Sequence, residues 1–166
     1  MNIRRSWVFP IVIAVALLVA PSPGFAKLTG RIVEGVGVKT AKLGVKDSTD
    51  AKRVGGTYKR SKDTSYAGQT VWKYVFGKKS GGVYGLEMYS HGNHLVFTFV
   101  INCTTLKTKN GTHVGTSEDT LTSRYGSKLT KSVGPVYTQY YMGTRHGRTE
   151  FWVKNAKVHH IVISRY

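Results

Sequence analysis

From Val71 to Phe76 the side chains alternate in a way that a strand uses. Trp72, Tyr74 and Phe76 would share one side, with Val71, Lys73 and Val75 on the other. The pattern predicts strands over Val71–Phe76, Tyr84–Tyr89 and Leu95–Ile101, the last two joined through a hairpin turn at Ser90–His94. A second set follows at Val136–Met142, Thr149–Lys154 and Val158–Ser164, with Asn155–Ala156–Lys157 at the corresponding turn. The alternation is absent from Leu43–Gly56 and Val114–Ser127, which read as short helices. Each has a capping-type residue near its start (Asp47; Thr116 or Ser117) and acids in its first turn (Asp50; Glu118 and Asp119). Each closes with an arginine shortly before glycine, an order that suits the helix dipole and a glycine cap.

The two helical stretches align at a constant offset of 71 residues. Gly44 meets Gly115, Thr49 meets Thr120, Arg53 meets Arg124, Gly55 meets Gly126, and later Ser61 meets Ser132. In the last hairpins Leu95 aligns with Val158 and Phe99 with Val162, an offset of 63. A helix of two or three turns is marginal alone and must pack on something. The expected fold is therefore α+β, with two copies of a helix followed by three antiparallel strands. They run over about 30–103 and 104–166 and pair into one pseudo-symmetric domain.

Gly35-Val36-Gly37-Val38, four residues on Leu43-Gly44, then a short capped helix ending in glycine and aromatic strands, make a further pattern. It resembles small secreted tandem-repeat proteins of actinomycete-like bacteria. More loosely it is similar to the superfamily holding β-lactamase inhibitory protein and the OmlA-type outer-membrane lipoproteins. The resemblance implies a non-enzymatic binding module that presents its sheet face to a protein partner. The chain departs from the lipoproteins in lacking a cysteine to lipidate, and from the inhibitor in lacking disulfides.

The amino end carries a different signal. Arg4 and Arg5 precede an almost wholly apolar run from Trp7 to Ala20, and Pro21-Ser22-Pro23-Gly24-Phe25-Ala26 follows. Those are the three regions of a secretory signal peptide over residues 1–26, with Gly24 and Ala26 placed for a cut before Lys27. The apolar run of 14 residues is shorter than the roughly 20 a membrane-spanning helix needs. Residues 27–166 are thus expected as a secreted domain, in the extracellular or envelope space, with no transmembrane segment.

Charge narrows the partners. Of 25 basic side chains, Arg4 and Arg5 lie in the leader, so 23 remain beside 8 acids and the net charge stays near +15. Such a surface is drawn to an anionic envelope polymer, to nucleic acid or to an acidic protein. Cys103 is the single cysteine, which forbids an intramolecular disulfide; after the apolar run Leu95–Ile101 it reads as a small buried hydrophobe.

Few residues carry recognisable chemistry. His159 and His160 are adjacent in a strand and point to opposite faces, and His91, His94, His113 and His146 stand in turns and loops, so no metal site is expected. No nucleophile elbow, phosphate loop or dinucleotide fingerprint is present, and no cofactor is expected. One hydrolytic alternative is a small ribonuclease-like enzyme with Glu87 or Glu150 as base, His160 or His94 as acid, and Arg148 on the phosphate. The expectation ranked above it is binding without catalysis. That role falls to strand-borne aromatics and cations, namely Trp152, Lys154, Tyr137, Tyr141 and Lys73.

Overall fold

The computed structural model describes residues 28–66 and 69–165; the expected signal peptide lies outside the described residues. The described residues open with three short strands, β1 (Gly30–Val33), β2 (Gly37–Val38) and β3 (Ala41–Lys42), before helix α1 (Asp47–Val54). Four antiparallel strands follow, β4 (Tyr58–Tyr66), β5 (Gln69–Ser80), β6 (Val83–Ser90) and β7 (Val96–Ile101). A two-residue strand β8 (Leu106–Lys107) leads to helix α2 (Glu118–Tyr125). Four more strands complete the chain, β9 (Thr130–Val133), β10 (Thr138–Gly143), β11 (Arg148–Lys154) and β12 (Lys157–Ser164).

Eight strands form one sheet in the order β4-β5-β6-β7-β12-β11-β10-β9, and the short strands form a second in the order β3-β2-β1-β8. The architecture is mostly β, with two helices on one side of the large sheet. Each helix is followed by four strands, where the sequence pattern predicts three. The extra strands, β4 and β9, are the sheet's two edges, and all four residues of β9 are exposed. A strand without a buried face has no apolar alternation to betray it, and Lys131 on β9 with Lys59 and Lys62 on β4 keep other chains from adding to the edges.

One face of the large sheet is buried under the helices. Phe76, Leu86, Met88, Phe99, Ile101, Phe151, Ile161 and Ile163 meet Ala51 and Val54 of α1 and Leu121 and Tyr125 of α2, with Ile32, Val38 and Leu106 from the small sheet. Trp72, Tyr74 and Phe76 all turn toward this core, as their alternation predicts. Cys103 is half-buried against its margin.

The two helices are tied to the sheet by the same three backbone hydrogen bonds. Gly44 N donates to Val96 O at 2.7 Å, Val96 N to Val45 O at 2.9 Å, and Asp47 N to His94 O at 2.8 Å. In the second half Gly115 N donates to Val158 O at 2.7 Å, Val158 N to Thr116 O at 2.8 Å, and Glu118 N to Ala156 O at 2.9 Å. In each set a hairpin carbonyl takes one of the amides a helix start leaves unpaired.

The helix starts differ in their side chains. Ser117 caps α2 by accepting from Thr120 N at 3.2 Å. In α1 the capping position is Lys46, which makes no side-chain cap, and Asp47 is the first helical residue instead of the cap its sequence context suggests. Lys46 has nearly the same backbone angles as Ser117. Ser117→Ala is therefore expected to cost about 1 kcal/mol, and Lys46→Ser to gain up to about 1 kcal/mol, by urea unfolding. A Lys46→Ser variant no more stable than the parent would show that the Asp47 carboxylate already serves α1 as a cap.

Candidate functional site

The face turned away from the helices is where the expected binding residues gather. Cross-strand register lays out one row as Tyr141, Glu150, Val162, Val100, Glu87 and Val75. A neighbouring row runs Arg148, Ser164, Thr98, Tyr89 and Lys73. A third joins Gln139, Trp152 and His160. Val100, Val162, Thr98 and Ser164 form a strip of short side chains along the middle of this face, with Phe97 packed beside it against Val71, Tyr89 and Val100. The long side chains stand on either side of it, so the face is a trough.

Each wall holds one carboxylate in a similar grip. On the β5–β6 side, Tyr89 Oη donates to Glu87 Oε2 at 2.6 Å, and Lys73 Nζ lies 3.0 Å from the same oxygen. On the β10–β11 side, Gln139 Nε2 donates to Glu150 Oε2 at 2.6 Å and Trp152 Nε1 donates to it at 3.0 Å. In both cases the carboxylate takes one donor from the aromatic two residues on and one from the next strand. The two side chains are 12% and 14% exposed, too buried to be left without partners. Burial and the Glu87 carboxylate push the Tyr89 hydroxyl up to about 12. Burial would lower Lys73, but its bonds to Tyr89 and Glu87 outweigh that and raise it. At neutral pH Tyr89 is thus a neutral donor and Lys73 is charged.

The second wall is richer. The Arg148 guanidinium lies 3.8 Å over the Tyr141 ring, and its Nε is 3.0 Å from Glu150 Oε1. That contact is an ion pair without hydrogen-bond alignment, and Arg148 Nε is buried without a hydrogen-bond partner among the described residues. Trp152 stacks on His160 with ring centres 5.3 Å apart, and Tyr137 meets Trp152 edge-on at 5.8 Å. Lys154 Nζ sits 5.6 Å from the centre of the Tyr137 ring. Burial, reinforced by the neighbouring His159, drives the His160 imidazole down to about 4.

Four of the five expected binding residues, Trp152, Lys154, Tyr137 and Tyr141, therefore stand together on one wall, and Lys73 stands on the opposite wall. The residues of the hydrolytic alternative are placed less favourably. Glu150 and Arg148 touch, but Glu87 is three strand spacings away, about 14 Å along the sheet. His160 is neutral at pH 7 and has no proton to give as an acid. His94 accompanies Asp47 at the helix side of the sheet, where Nδ1 is 3.0 Å from Asp47 Oδ2. Among the described residues no three His, Cys, Asp or Glu are grouped to hold a metal ion, and no helix is long and apolar enough to cross a membrane.

Sequence reading missed Gln139 and Tyr89 as partners of the two carboxylates. The signal for Tyr89 was present as Glu87-x-Tyr89, matched 63 residues on by Glu150-x-Trp152, whereas Gln139 reaches Glu150 from the next strand and leaves no local signal.

No family model matches the sequence, and no curated protein matches it. A crystal structure of the uncharacterized protein YfeY from Escherichia coli has a similar fold, with a TM-score of 0.54 at 18% identity over 82% of this chain and 99% of that one. At that identity the likeness concerns the path of the chain alone.

Proposed function

We propose that the protein is an exported, non-enzymatic binding module that takes a protein partner in the trough of its large sheet. The observation that carries this reading is the wall of Trp152, Tyr137, Tyr141 and Arg148, half-buried aromatics and a stacked guanidinium of the kind that dominates interface energies. Both carboxylates of the trough are paired, Glu87 with Lys73 and Glu150 with Arg148, and Lys154 at its rim adds one further cation. A polyanion is therefore drawn to the unpaired lysines elsewhere, and the trough suits a partner of mixed polarity. Export rests on the charged, apolar and small-residue order of residues 1–26.

The same reading takes the two halves as copies of one unit. Supporting it are the recurring helix anchors, at offsets of 71 for the helix and 62 for the last strand, and the two Glu-x-aromatic grips. The hairpin register breaks also correspond, between Tyr89 and Ser90 in one half and Trp152 and Val153 in the other. The backbone bonds set the last-strand offset one residue below the 63 read from side chains.

The test compares wild type with Trp152→Ala in two assays. One is capture of exported proteins from culture fluid; the other is salt-dependent retention on immobilised polyphosphate. A partner held by wild type should bind Trp152→Ala about 30-fold more weakly, the scale of an interface hot spot. Retention on polyphosphate that is identical for both, with no captured protein, would favour an anionic envelope polymer. Cleavage of labelled RNA that disappears in Glu150→Gln would replace the reading with the ribonuclease-like one.

A further inference from the structure

The large sheet carries a second hollow, away from the aromatic wall. It has a volume of about 400 Å³ and lies where β4, β5 and β6 part, with Tyr58, Val75 and Tyr84 lining it and Lys59, Lys78 and Lys79 around them. The opening has a local cause. The pairing of β5 with β6 slips between Phe76 and Lys79, and Gly77 inside that slip takes a φ of 79°. A backbone in this conformation strains any residue with a Cβ, and glycine contributes no side chain to fill the gap. The volume falls within the range of small-molecule sites, whose linings are mostly apolar with a few placed polar groups.

Two features together define the ligand. The floor is hydrocarbon and aromatic ring, and the neighbouring Val83 is 48% exposed with nothing packed over it. Three ammonium groups surround this floor, none with an ion-pair partner among the described residues, and no carboxylate lines the hollow. An apolar floor under unpaired cations complements a molecule with a hydrocarbon tail and an anionic head. The lining is concave, which suits one chain detached from a bilayer better than a bilayer surface.

We propose that this hollow binds a free fatty carboxylate, its chain over Val75 and Tyr84 and its head among Lys59, Lys78 and Lys79. The hollow meets the trough only at Val75, at the far end from Trp152. Tyr58 packs its ring 5.6 Å from Tyr74 and 5.5 Å from Phe76, so it supports the fold as well as the hollow and is a poor position to mutate. Lys78 and Lys79 are exposed and serve better.

Titration calorimetry of purified protein with dodecanoate, below its micelle concentration, and with dodecanol gives the first measurement. Dodecanoate should bind saturably and dodecanol about tenfold more weakly, and the K78E/K79E variant should lose that preference while keeping the parent's unfolding midpoint. Trp152→Ala should bind dodecanoate as the parent does, which separates this site from the trough. Equal binding of the acid and the alcohol, or an unchanged affinity in K78E/K79E, would overturn the proposal. So would sedimentation with phosphatidylglycerol vesicles in the absence of dodecanoate binding, which would assign the lysines to a membrane surface.

Discussion

Phe99→Ala is expected to destabilise the fold by about 4 kcal/mol, a large part of the roughly 5–15 kcal/mol that holds a domain together. Phe99 is fully buried in β7, the strand that joins the two halves of the sheet. Its cross-strand partners, Met88 on one side and Ile163 on the other, are themselves fully buried. Truncation leaves a void that neither neighbour can fill without moving a strand, so the cost combines lost transfer energy with a residual cavity. Urea unfolding should show a lower midpoint with an unchanged slope. Val133→Ala, at a residue 74% exposed on edge strand β9, should fall within about 0.5 kcal/mol of the parent. A shift for Phe99→Ala below about 1 kcal/mol would mean that the sheet's centre is not the core.

Asp47→Asn should cost about 3 kcal/mol and change how stability depends on pH. The Asp47 carboxylate is 3% exposed at the start of α1 and accepts from Ser90 Oγ at 2.7 Å, with His94 Nδ1 3.0 Å away. Burial alone would raise its pKa above 3.8. The hydrogen bonds from Ser90, His94, Tyr74 and the Ser48 amide outweigh burial and hold it lower. Its folded pKa is thus depressed, so its contribution is complete above the ordinary carboxylate value and is lost as pH falls through the folded one. Asp50, raised by burial against its bonds to Lys42 and Arg53, works in the opposite sense. The wild-type profile mixes the two, and the difference between wild type and Asp47→Asn isolates Asp47. That difference should shrink as pH falls below about 4, where the Asp47 carboxylate takes up its proton. A difference independent of pH down to 2 would mean that the carboxylate's charge is not what the donors hold.

The sequence pattern located both helices and six strands because most of those elements have one buried face, which leaves a period, and β7, buried on both faces, leaves an apolar run instead. Trp72, Tyr74 and Phe76 fall where alternation puts them. The edge strands were illegible for the converse reason: Tyr58–Tyr66 contains Lys59, Arg60 and Lys62 and buries too little to impose alternation. The short strands β1, β2, β3 and β8 were illegible too, since two to four residues are too few to show a period. At the candidate site Trp152, Lys154, Tyr137 and Tyr141 were legible as residue types. Their meeting on one wall depends on register, which long-range pairing fixes and local sequence does not. The burial that leaves His160 neutral depends on Trp152 of β11 and on Tyr137 just before β10 and was equally out of reach.

The central pairing of β7 with β12 has a consequence for how the chain reaches its final form. Strand β7 is complete early in the chain, but the strand that covers its free edge begins at Lys157. Until then the first half holds an open row of amides and carbonyls beside Phe99 and Ile101, a template for any other extended chain nearby. Emergence of the polypeptide from a pore is directional, so the first half waits, adhesive, for the end of its own sequence. A chaperone that holds nascent chains would find its binding surface there, and would lose it when β12 docks.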